Sequence, residues 1–597
     1  MTAATTIPQR LAALRQWMHD HSLGAFVVPS NDPHFSEYVT PHWGCRAWIS
    51  GFDGSAGTVV VTAERAALWT DSRYFLQAET QLRGSGIELQ RMGVAGTPSL
   101  AEWLQQHLHA NSVVGVDGAL FSRAAFDQFQ RELVEQQLEL RATDDPFASI
   151  WKGRPPMPSE TVIALSEQYS GESTAHKLAR IRQQQPQDAV RIIAVLDEIA
   201  WTLNLRGGDI AYNPLFISYL AVEPQRAVLF VQPQKIASDT AKQLQEEADV
   251  EISPYEAFTE YLTTLGGKKV VVNPNGLDTR SWEALEHAEA HLIRESTPYG
   301  AVSAMKAVKN RTEIEGFRQA MERDGVALVR FERWLEEAVR SGARPTERQI
   351  AERLHAFRAA GEEFRGESFE TIAGYGDHGA IVHYSVTPES DCPLDTESFL
   401  LIDSGGQYLC GTTDITRTYH FGRPTAEQRR DYTAVLKGMI DLSASQFPVR
   451  TRGAQLDVLA RRYLWAQGDN YLHGTGHGIG HFLCVHEGPQ SIRMNENPVV
   501  LQPGMVQSCE PGLYRAGSHG IRIENLILVS ETDVPNGFLR FETLTLCPIS
   551  TTALDIEALE RPQREWLNSY HAEVYRRLAP LLTPDEQAWL RDKTRPV

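Results

Sequence analysis

The sequence predicts a multidomain protein of the α/β class, with two similar α/β units in tandem followed by a third and larger domain. Three observations support this prediction. The chain has 597 residues, helical and strand-like apolar patterns alternate along its first half, and a proline-rich segment separates two such series. One hydrophobic core does not hold so long a chain, because domains average roughly 150 residues. A composition of 42% apolar and 22% charged residues is ordinary for globular domains.

The first unit is predicted from hydrophobic periodicity. Spaced apolar residues predict a helix over residues 7–21, and apolar runs at residues 25–28 and 58–62 predict strands.

A similar order returns later in the chain. Apolar runs at residues 192–195 and 227–231 predict strands, with a helical pattern at 197–203 between them. Two related units in tandem explain this recurrence, although the residue identity between them is too low to prove a repeat.

Domain boundaries are predicted from breaks in these patterns. Residues 152–159 contain three prolines, which neither continue a helix nor donate to a sheet, so this segment is the predicted first linker. A second boundary is predicted near Pro298, before a long helical pattern that begins around Asn310 and continues past Trp334. The domains expected from these boundaries span residues 1–155, 156–302 and 303–597.

The charge of the chain argues against two classes of partner. A net charge of −19 and a pI near 5.5 repel phosphate backbones and anionic membranes, so neither a nucleic acid nor a membrane is expected as a partner. The first residues lack the features of a secretory signal, and no run approaches the roughly 20 apolar residues that span a bilayer. A cytoplasmic location is therefore expected.

Six cysteines occur without any C-x-x-C pair, which argues against a disulfide framework and against a thiolate zinc site. Buried thiols without disulfide partners are the expected outcome.

Two aspartates in the third domain are predicted to converge. Residues 398–403 read as a strand ending at Asp403, and residues 411–419 read as the returning strand that carries Asp414. Their separation of eleven positions would place them on opposite faces of one continuous strand. The chain must therefore turn between them, and the glycines of this stretch permit a hairpin or bulge.

Histidines alternate with glycines in HGTGHGIGH at residues 473–481, and VHEGP follows at residues 485–489. The segment contains a G-x-G pattern, but a preceding strand and a following helix are not evident. We therefore reject a nucleotide-binding loop, because interleaved histidines suit a metal or a substrate better than a pyrophosphate.

Two glutamates complete the candidate set. Glu510 lies in SCEPG at residues 508–512, and Glu524 lies in IRIENLIL at residues 521–528, which reads as one strand. Alternation along that strand places Arg522 and Glu524 on the same face, where the glutamate is either part of a buried ion pair or a supported metal ligand.

Four carboxylates and one imidazole together predict a pair of metal ions. Each residue alone would more often be an ordinary surface or core group. Four carboxylates in apolar strand-like stretches, however, would repel one another unless cations neutralised them. Two divalent ions supply four positive charges and leave one imidazole as the fifth ligand. Four oxygen donors and one nitrogen favour manganese, with cobalt or zinc as alternatives.

The order of these residues resembles the five-ligand pattern of the metallopeptidase family with the pita-bread fold, which includes methionine aminopeptidase, prolidase, creatinase and aminopeptidase P. Nearly the whole chain resembles the three-domain, cytosolic-type Xaa-Pro aminopeptidases. The segments that carry this resemblance are SGFDGSAGT at 50–58, DSRYFL at 71–76, LDEIAWTLNLRG at 196–207, KAVKN at 306–310, IVHY at 381–384 and VHEGP at 485–489. It implies two creatinase-N-like α/β domains followed by a pita-bread (α+β) catalytic domain.

The resemblance also implies an activity, the hydrolysis of the bond between an N-terminal residue and a following proline in peptide substrates, by a homodimer. Asp403 would bind one metal, His477 and Glu510 the other, and Asp414 and Glu524 would bridge both. A water between the metals would be the nucleophile, and Glu510 would take and pass on a proton.

Four further residues receive roles from the same resemblance. His383 and His486 would hold the substrate carbonyl and stabilise the developing oxyanion. His473 would line the pocket on the proline side, and Arg522 would orient an adjacent carboxylate ligand.

Two positions depart from the family pattern. Cys509 stands where relatives carry a polar residue, which leaves sensitivity to oxidation open, and His481 stands in place of a small residue. We expect His481 to be an ordinary solvated or core histidine.

The same residues allow three rival interpretations. A prolidase would share the chemistry but accept only dipeptides, and the three-domain length favours the aminopeptidase. Creatinase does not use metal catalysis, whereas all five ligand positions are filled here. A peptide-binding scaffold without activity would be marked by lost ligands.

Overall fold

The first part of the chain folds around two six-stranded sheets of matching topology. The structure is a computed structural model that describes residues 5–533 and 537–597. The strands of this part are β1 Ala25–Pro29, β2 Thr58–Thr62, β3 Ala66–Thr70, β4 Glu88–Arg91, β5 Val113–Asp117, β6 Glu139–Thr143, β7 Ile163–Ala164, β8 Val190–Ile193, β9 Leu205–Arg206, β10 Tyr219–Val222, β11 Ala227–Phe230, β12 Val250–Ser253, β13 Lys269–Val272 and β14 His291–Arg294.

The two sheets share strand order and strand direction. The first has the order β4-β3-β2-β1-β5-β6 and the second the order β12-β11-β10-β8-β13-β14. β1 is antiparallel to β2 and parallel to β5, and β8 is likewise antiparallel to β10 and parallel to β13. The prediction of two related α/β units is thus confirmed.

Helices cover these sheets, so a central strand such as β1 is buried on both faces and has an apolar sequence throughout. All five residues of β1 are buried. Phe26 and Val28 lie in one core and Ala25 and Val27 in another, because successive side chains of a strand point to opposite faces. The helices of this stretch are α1 Ile7–Asp20, α2 Cys45–Ser50, α3 Phe75–Gln81, α4 Leu100–His107, α5 Arg123–Glu135, α6 Phe147–Ile150, α7 Glu167–Ser170, α8 Thr174–Gln183, α9 Leu196–Leu203, α10 Ser238–Ala248, α11 Ala257–Thr263 and α12 Thr279–His287. Of these, α7 belongs to the other compact unit of the chain.

The second part of the chain combines long helices with antiparallel sheets. Its helices are α13 Gly300–Ala307, α14 Arg311–Arg340, α15 Glu347–Ala359, α16 Ala426–Ser443, α17 Gly453–Trp465, α18 Arg561–Leu578 and α19 Pro584–Lys593. Its strands are β15 Phe364–Glu367, β16 Ile372–Tyr375, β17 Phe399–Ser404, β18 Gly406–Tyr408, β19 Gly411–Thr412, β20 Ile415–His420, β21 Gln446–Pro448, β22 Gly476–Gly478, β23 Glu487–Ile492, β24 Val506–Cys509, β25 Gly512–Arg515, β26 His519–Arg522, β27 Asn525–Glu531 and β28 Phe538–Thr543.

The chain divides into two compact units. One contains the residues up to Leu165 together with Glu172–Ser303, and the other contains Ser166–Gly171 and Ala304–Val597. The three domain ranges expected from the sequence stay predictions. Among the helices of the described residues, none combines the length and the apolar composition that crossing a bilayer requires.

Two predicted strands differ from the structure. Asp403 lies in β17, as predicted, but Asp414 precedes β20, and the chain between them forms β18 and β19 of another sheet instead of a simple hairpin. The single strand predicted over residues 521–528 is wrong. β26 pairs with β25, whereas β27 pairs with β24 and β28, so the chain changes sheets at residues 523–524.

Candidate active site

Adjacent antiparallel strands bring the two aspartates together. In the pairing of β17 with β20, Asp403 lies opposite Thr416, two positions beyond Asp414. Both aspartates are buried, with 7% and 3% of their surface exposed. The predicted convergence of the two carboxylates is therefore observed, through strand pairing.

His477 lies in β22 and faces two of the predicted carboxylates. Its Nε2 is 3.5 Å from Asp414 Oδ2 and 3.5 Å from Glu510 Oε1. Its Nδ1 lies 3.0 Å from the carbonyl oxygen of Gly478. Because a carbonyl only accepts, Nδ1 carries the proton, and the lone pair of Nε2 is directed towards the carboxylates.

Glu524 enters the same cluster from the segment between β26 and β27. Donor atoms of Asp414, His477 and Glu524 all lie within 4.8 Å of one another. Glu524 Oε2 accepts a hydrogen bond of 2.8 Å from the hydroxyl of Thr416. On the other side of the cluster, the hydroxyl of Ser508 lies 3.3 Å from Glu510 Oε1.

Burial and mutual repulsion raise the pKa of three carboxyl groups in this cluster. The pKa of Asp414 and that of Glu524 are both well above the ordinary range, first because of burial and then because of the neighbouring carboxylates. Burial also raises the pKa of Glu510 to about 7, and Arg522 partly opposes that rise. Anionic carboxylates at these positions thus require compensating positive charge.

The residues present fit a pair of divalent cations. Asp403 Oδ1 and Glu524 Oε1 are buried and accept no hydrogen bond from any residue within 5–533 or 537–597. Such oxygens are costly to bury unless a partner compensates them, and hard divalent ions prefer oxygen donors. The cluster supplies four carboxylates and one oriented imidazole.

A hydrogen-bonded chain connects the cluster to His473. Arg522 donates to Asp403 Oδ2 through Nη2 at 2.7 Å and through Nε at 3.0 Å. Its Nη1 donates to the hydroxyl of Tyr514 at 2.7 Å, and that hydroxyl lies 2.8 Å from His473 Nε2. His473 Nδ1 lies 2.8 Å from the Gly474 carbonyl, so Nε2 is the acceptor for Tyr514.

Two further predicted histidines lie beside this assembly. The ring of His486 is 4.4 Å from the ring of His477 and nearly perpendicular to it. His383 follows Val382, whose carbonyl oxygen accepts from Arg522 Nη2 at 3.3 Å. The backbone at His383 thus lies next to the guanidinium group that holds Asp403.

The two unusual residues of the site region are core residues. Cys509 is fully buried and contacts Ser443 and the carbonyl of Met439 at 3.6 Å, so strand alternation directs it away from Glu510. His481 is also buried, with its ring 5.6 Å from that of Phe317, in agreement with the expected core histidine.

All six cysteines are present as thiols without disulfides. Cys392 and Cys484 are partly exposed, whereas the other four are buried as expected.

Sequence reasoning missed Thr416, Ser508 and Tyr514. Thr416 and Ser508 each lie two positions from a predicted ligand, a spacing that keeps both on the same face of an extended segment and could have identified them. Tyr514 carries no such signal, because only the pairing of β25 with β26 brings it near Arg522.

The raised pKa of Glu510 predicts a pH effect on the metal-stripped protein. An unfolded glutamate titrates near 4.3, so the folded state holds this proton more tightly. The resulting stabilisation is present below about pH 4.3 and is lost as pH rises through the folded pKa of about 7. Without metal, wild type should therefore lose thermal stability as pH rises from about 4.5 to 8, whereas Glu510→Gln should not show this loss. The difference in melting temperature in favour of Glu510→Gln should grow across that range. A stability difference between the two proteins that stays constant across this range would contradict the prediction. Excess metal should abolish the loss of wild-type stability at higher pH.

Family models match four consecutive stretches of the chain. Residues 10–149 and 153–313 each match a creatinase/prolidase N-terminal domain, residues 315–531 match metallopeptidase family M24, and residues 537–597 match the C-terminal region of that peptidase family.

Whole proteins of similar length also resemble the chain. A probable Xaa-Pro aminopeptidase P of Laccaria bicolor is 41% identical, covering 99% of this chain and 93% of the relative. Xaa-Pro aminopeptidase 1 of Dictyostelium discoideum is 38% identical, covering 99% and 97%. The crystal structure of an X-prolyl aminopeptidase from Caenorhabditis elegans, described as a cytosolic enzyme with a dinuclear active site, is 33% identical with a TM-score of 0.94, covering 99% and 100% of the two chains.

Proposed function

The chain belongs to metallopeptidase family M24, and from this premise we propose that it removes the first residue from peptides with proline in the second position. One observation carries the proposal: five ligand-type side chains converge on a buried cluster. Two of its carboxylate oxygens accept no hydrogen bond from the described residues. Relatives that cover nearly the whole chain are named Xaa-Pro aminopeptidases, and the substrate class follows from them.

We propose that the cluster holds two divalent ions, with Asp403 on one, His477 and Glu510 on the other, and Asp414 and Glu524 between them. The contact of His477 Nε2 with both Asp414 and Glu510 supports their assignment to a shared metal. Two such ions would lower the pKa of a shared water and polarise the scissile carbonyl.

The remaining chemistry is assigned to side chains. Glu510 accepts a proton from the attacking water and delivers it to the proline nitrogen as the peptide bond breaks. His383 and His486 hold the substrate carbonyl and its developing negative charge. His473 lines the pocket on the proline side.

Arg522 is assigned a positioning role. Its two hydrogen bonds to Asp403 Oδ2 hold that carboxylate in one orientation and leave Oδ1 for a metal. A paired, planar arrangement of this kind is geometrically specific, so lysine would be a poor substitute.

Manganese is the proposed metal, because four oxygen donors and one imidazole suit a hard ion, with cobalt and zinc as alternatives. Stripping the protein with a chelator and measuring activity after adding each ion separately tests this choice. Equal or greater activity with zinc would remove the preference for manganese.

We further propose that the protein acts in the cytoplasm as a homodimer, without nucleic-acid or membrane partners, and that its domains span residues 1–155, 156–302 and 303–597. The related Caenorhabditis elegans protein is described as cytosolic.

The proposed dimer is supported by large apolar side chains that are exposed on α17 and shortly after it, with Trp465 at 43% and Leu472 at 72%. Analytical ultracentrifugation of wild type and Leu472→Asp tests the dimer, and a monomeric wild type would exclude it.

The rival prolidase activity is separated from the proposed one by substrate length. Metal-reconstituted protein should release arginine from the tripeptide Arg-Pro-Pro but not from Arg-Ala-Ala. Cleavage confined to an Xaa-Pro dipeptide would instead identify a prolidase. Absence of metal-dependent cleavage of all three peptides would favour a binding scaffold without activity.

Tyr514→Phe should lower kcat/KM about 10- to 100-fold with little loss of stability, since residues that support metal ligands have effects of that size. The change removes the hydroxyl that accepts from Arg522 and donates to His473. Steady-state kinetics and metal content measure the effect. The control is Tyr575→Phe, which removes an exposed hydroxyl that accepts hydrogen bonds from Arg591. Unchanged kinetics in Tyr514→Phe would show that the connection has no function.

A further inference from the structure

A second group of side chains with metal-ligand chemistry lies apart from the proposed dinuclear centre. Glu347, His378 and Cys392 each offer one donor atom, and these atoms all lie within 4.8 Å of one another. None of the three belongs to the five-ligand set. β16 separates the groups, because Ile372 at its start pairs with Asp403 and Tyr375 at its end donates to Glu347. At about 3.3 Å per residue, that is a separation of roughly 10 Å along the strand.

We propose that Glu347, His378 and Cys392 form a zinc-binding site. Zinc accepts thiolate, imidazole and carboxylate ligands together, whereas manganese prefers oxygen donors. A thiolate and a carboxylate balance the two positive charges of the ion, and the imidazole binds as a neutral ligand. The sequence offered no C-x-x-C pair to indicate such a site, because its donors come from three separate segments.

The distances suit a tetrahedral ion after a small adjustment. Cys392 Sγ is 3.8 Å from His378 Nδ1. Zinc bonds of about 2.3 Å to sulfur and 2.0–2.1 Å to nitrogen, at a tetrahedral angle, imply a separation of about 3.6 Å. His378 Nδ1 is 2.9 Å from Glu347 Oε1, which is a hydrogen-bond distance. A zinc ion bound between these two atoms would replace that hydrogen bond. Zinc would widen that gap to about 3.4 Å.

The backbone already holds the ligands in place. Glu347 begins α15, and its amide donates to the carbonyl of Cys392 at 3.1 Å, which fixes these two residues side by side. The hydroxyl of Tyr384 donates to Glu347 Oε2 at 2.8 Å and orients the carboxylate. Partners of this kind tune metal ligands.

Solvent can reach the site. Glu347 is buried, whereas the His378 side chain is 23% exposed and Cys392 is partly exposed, so a water can supply the fourth ligand.

The test uses cobalt as a spectroscopic probe on the full-length, manganese-loaded protein. Cobalt(II) bound to a thiolate shows a near-ultraviolet charge-transfer band, and the five-ligand cluster contains no thiolate. We expect one equivalent of this band in wild type, its loss in Cys392→Ser, and its displacement by zinc. Cys484→Ser, which removes the other partly exposed thiol, should keep the band.

Equilibrium dialysis against zinc provides a second measurement. Wild type should bind one more zinc per chain than Cys392→Ser or Cys392→Ala, and circular dichroism should show that the variants are folded. Absence of the band in wild type, its survival in Cys392→Ser, or its loss in Cys484→Ser would each overturn the proposal. Because no peptide is cleaved in either measurement, a failed aminopeptidase assay would leave these results unaffected.

Discussion

Asp414→Asn should reduce Xaa-Pro cleavage about a thousandfold or more and lower the bound metal below two ions per chain. Asp414 Oδ2 lies 3.5 Å from His477 Nε2, and its carboxylate is close enough to that of Asp403 for the two charges to repel each other. The change therefore removes a negative charge that both proposed ions would share. Metal stabilisation of a hydrolytic transition state is worth several kcal/mol, and each 1.4 kcal/mol corresponds to a tenfold change in rate. Turnover of Arg-Pro-Pro and elemental analysis of the same sample measure the two effects together.

The matched control is Asp395→Asn, which makes the same chemical change at a partly exposed aspartate paired with Arg344. It should retain activity and metal content. Full activity in Asp414→Asn would remove that residue from the ligand set. A large loss of activity with two ions still bound would assign Asp414 a role other than metal binding.

Glu487→Ala should destabilise the protein by about 3–5 kcal/mol, the usual cost of removing one partner of a buried ion pair. The Glu487 side chain is fully buried between Lys306 and Lys309, each 1% exposed. Lys306 Nζ lies 2.7 Å from Glu487 Oε2, and Lys309 contacts the other carboxylate oxygen. Removing the carboxylate leaves the two buried ammonium groups without the negative charge that neutralises them, and little solvent reaches them.

Urea denaturation of the full chain measures this loss, with Glu531→Ala at an exposed glutamate as the control. A triple variant with Lys306→Met, Lys309→Met and Glu487→Leu should recover most of the stability, because apolar replacement of a whole buried ion cluster is often neutral or better. Activity should also fall in Glu487→Ala, since the residue directly follows His486. A loss below 1 kcal/mol would show that solvent reaches the lysines.

Much of the fold could be predicted from local patterns. Asn310 caps α14, and its side chain and that of Glu313 exchange hydrogen bonds with the backbone, a signal contained within four residues. The two α/β units were predicted in the same way, because strand alternation and helical periodicity depend on neighbours in sequence. The strand over residues 521–528 could not be predicted correctly, because its interruption depends on which sheet each half joins.

The residue types of the candidate ligands and their order along the chain could also be predicted, and the structure brings these residues into one cluster. Their mutual arrangement could not be predicted. Arg522 was expected beside Glu524, yet its hydrogen bonds run to Asp403, because strand pairing places it there. Tyr514, which joins Arg522 to His473, had no sequence signal at all.

The sequence by itself determined the two repeated α/β units, the long helix α14 and the identity of five ligand-type residues, since each depends on local periodicity or on residue chemistry. Only the tertiary structure decided the hydrogen-bonded chain from His473 to Asp403, the buried contacts of Glu487 with two lysines, and the meeting of Glu347, His378 and Cys392. The physical reason is distance along the chain. Contacts between residues far apart in sequence depend on how strands pair and helices pack, and no local pattern encodes that choice.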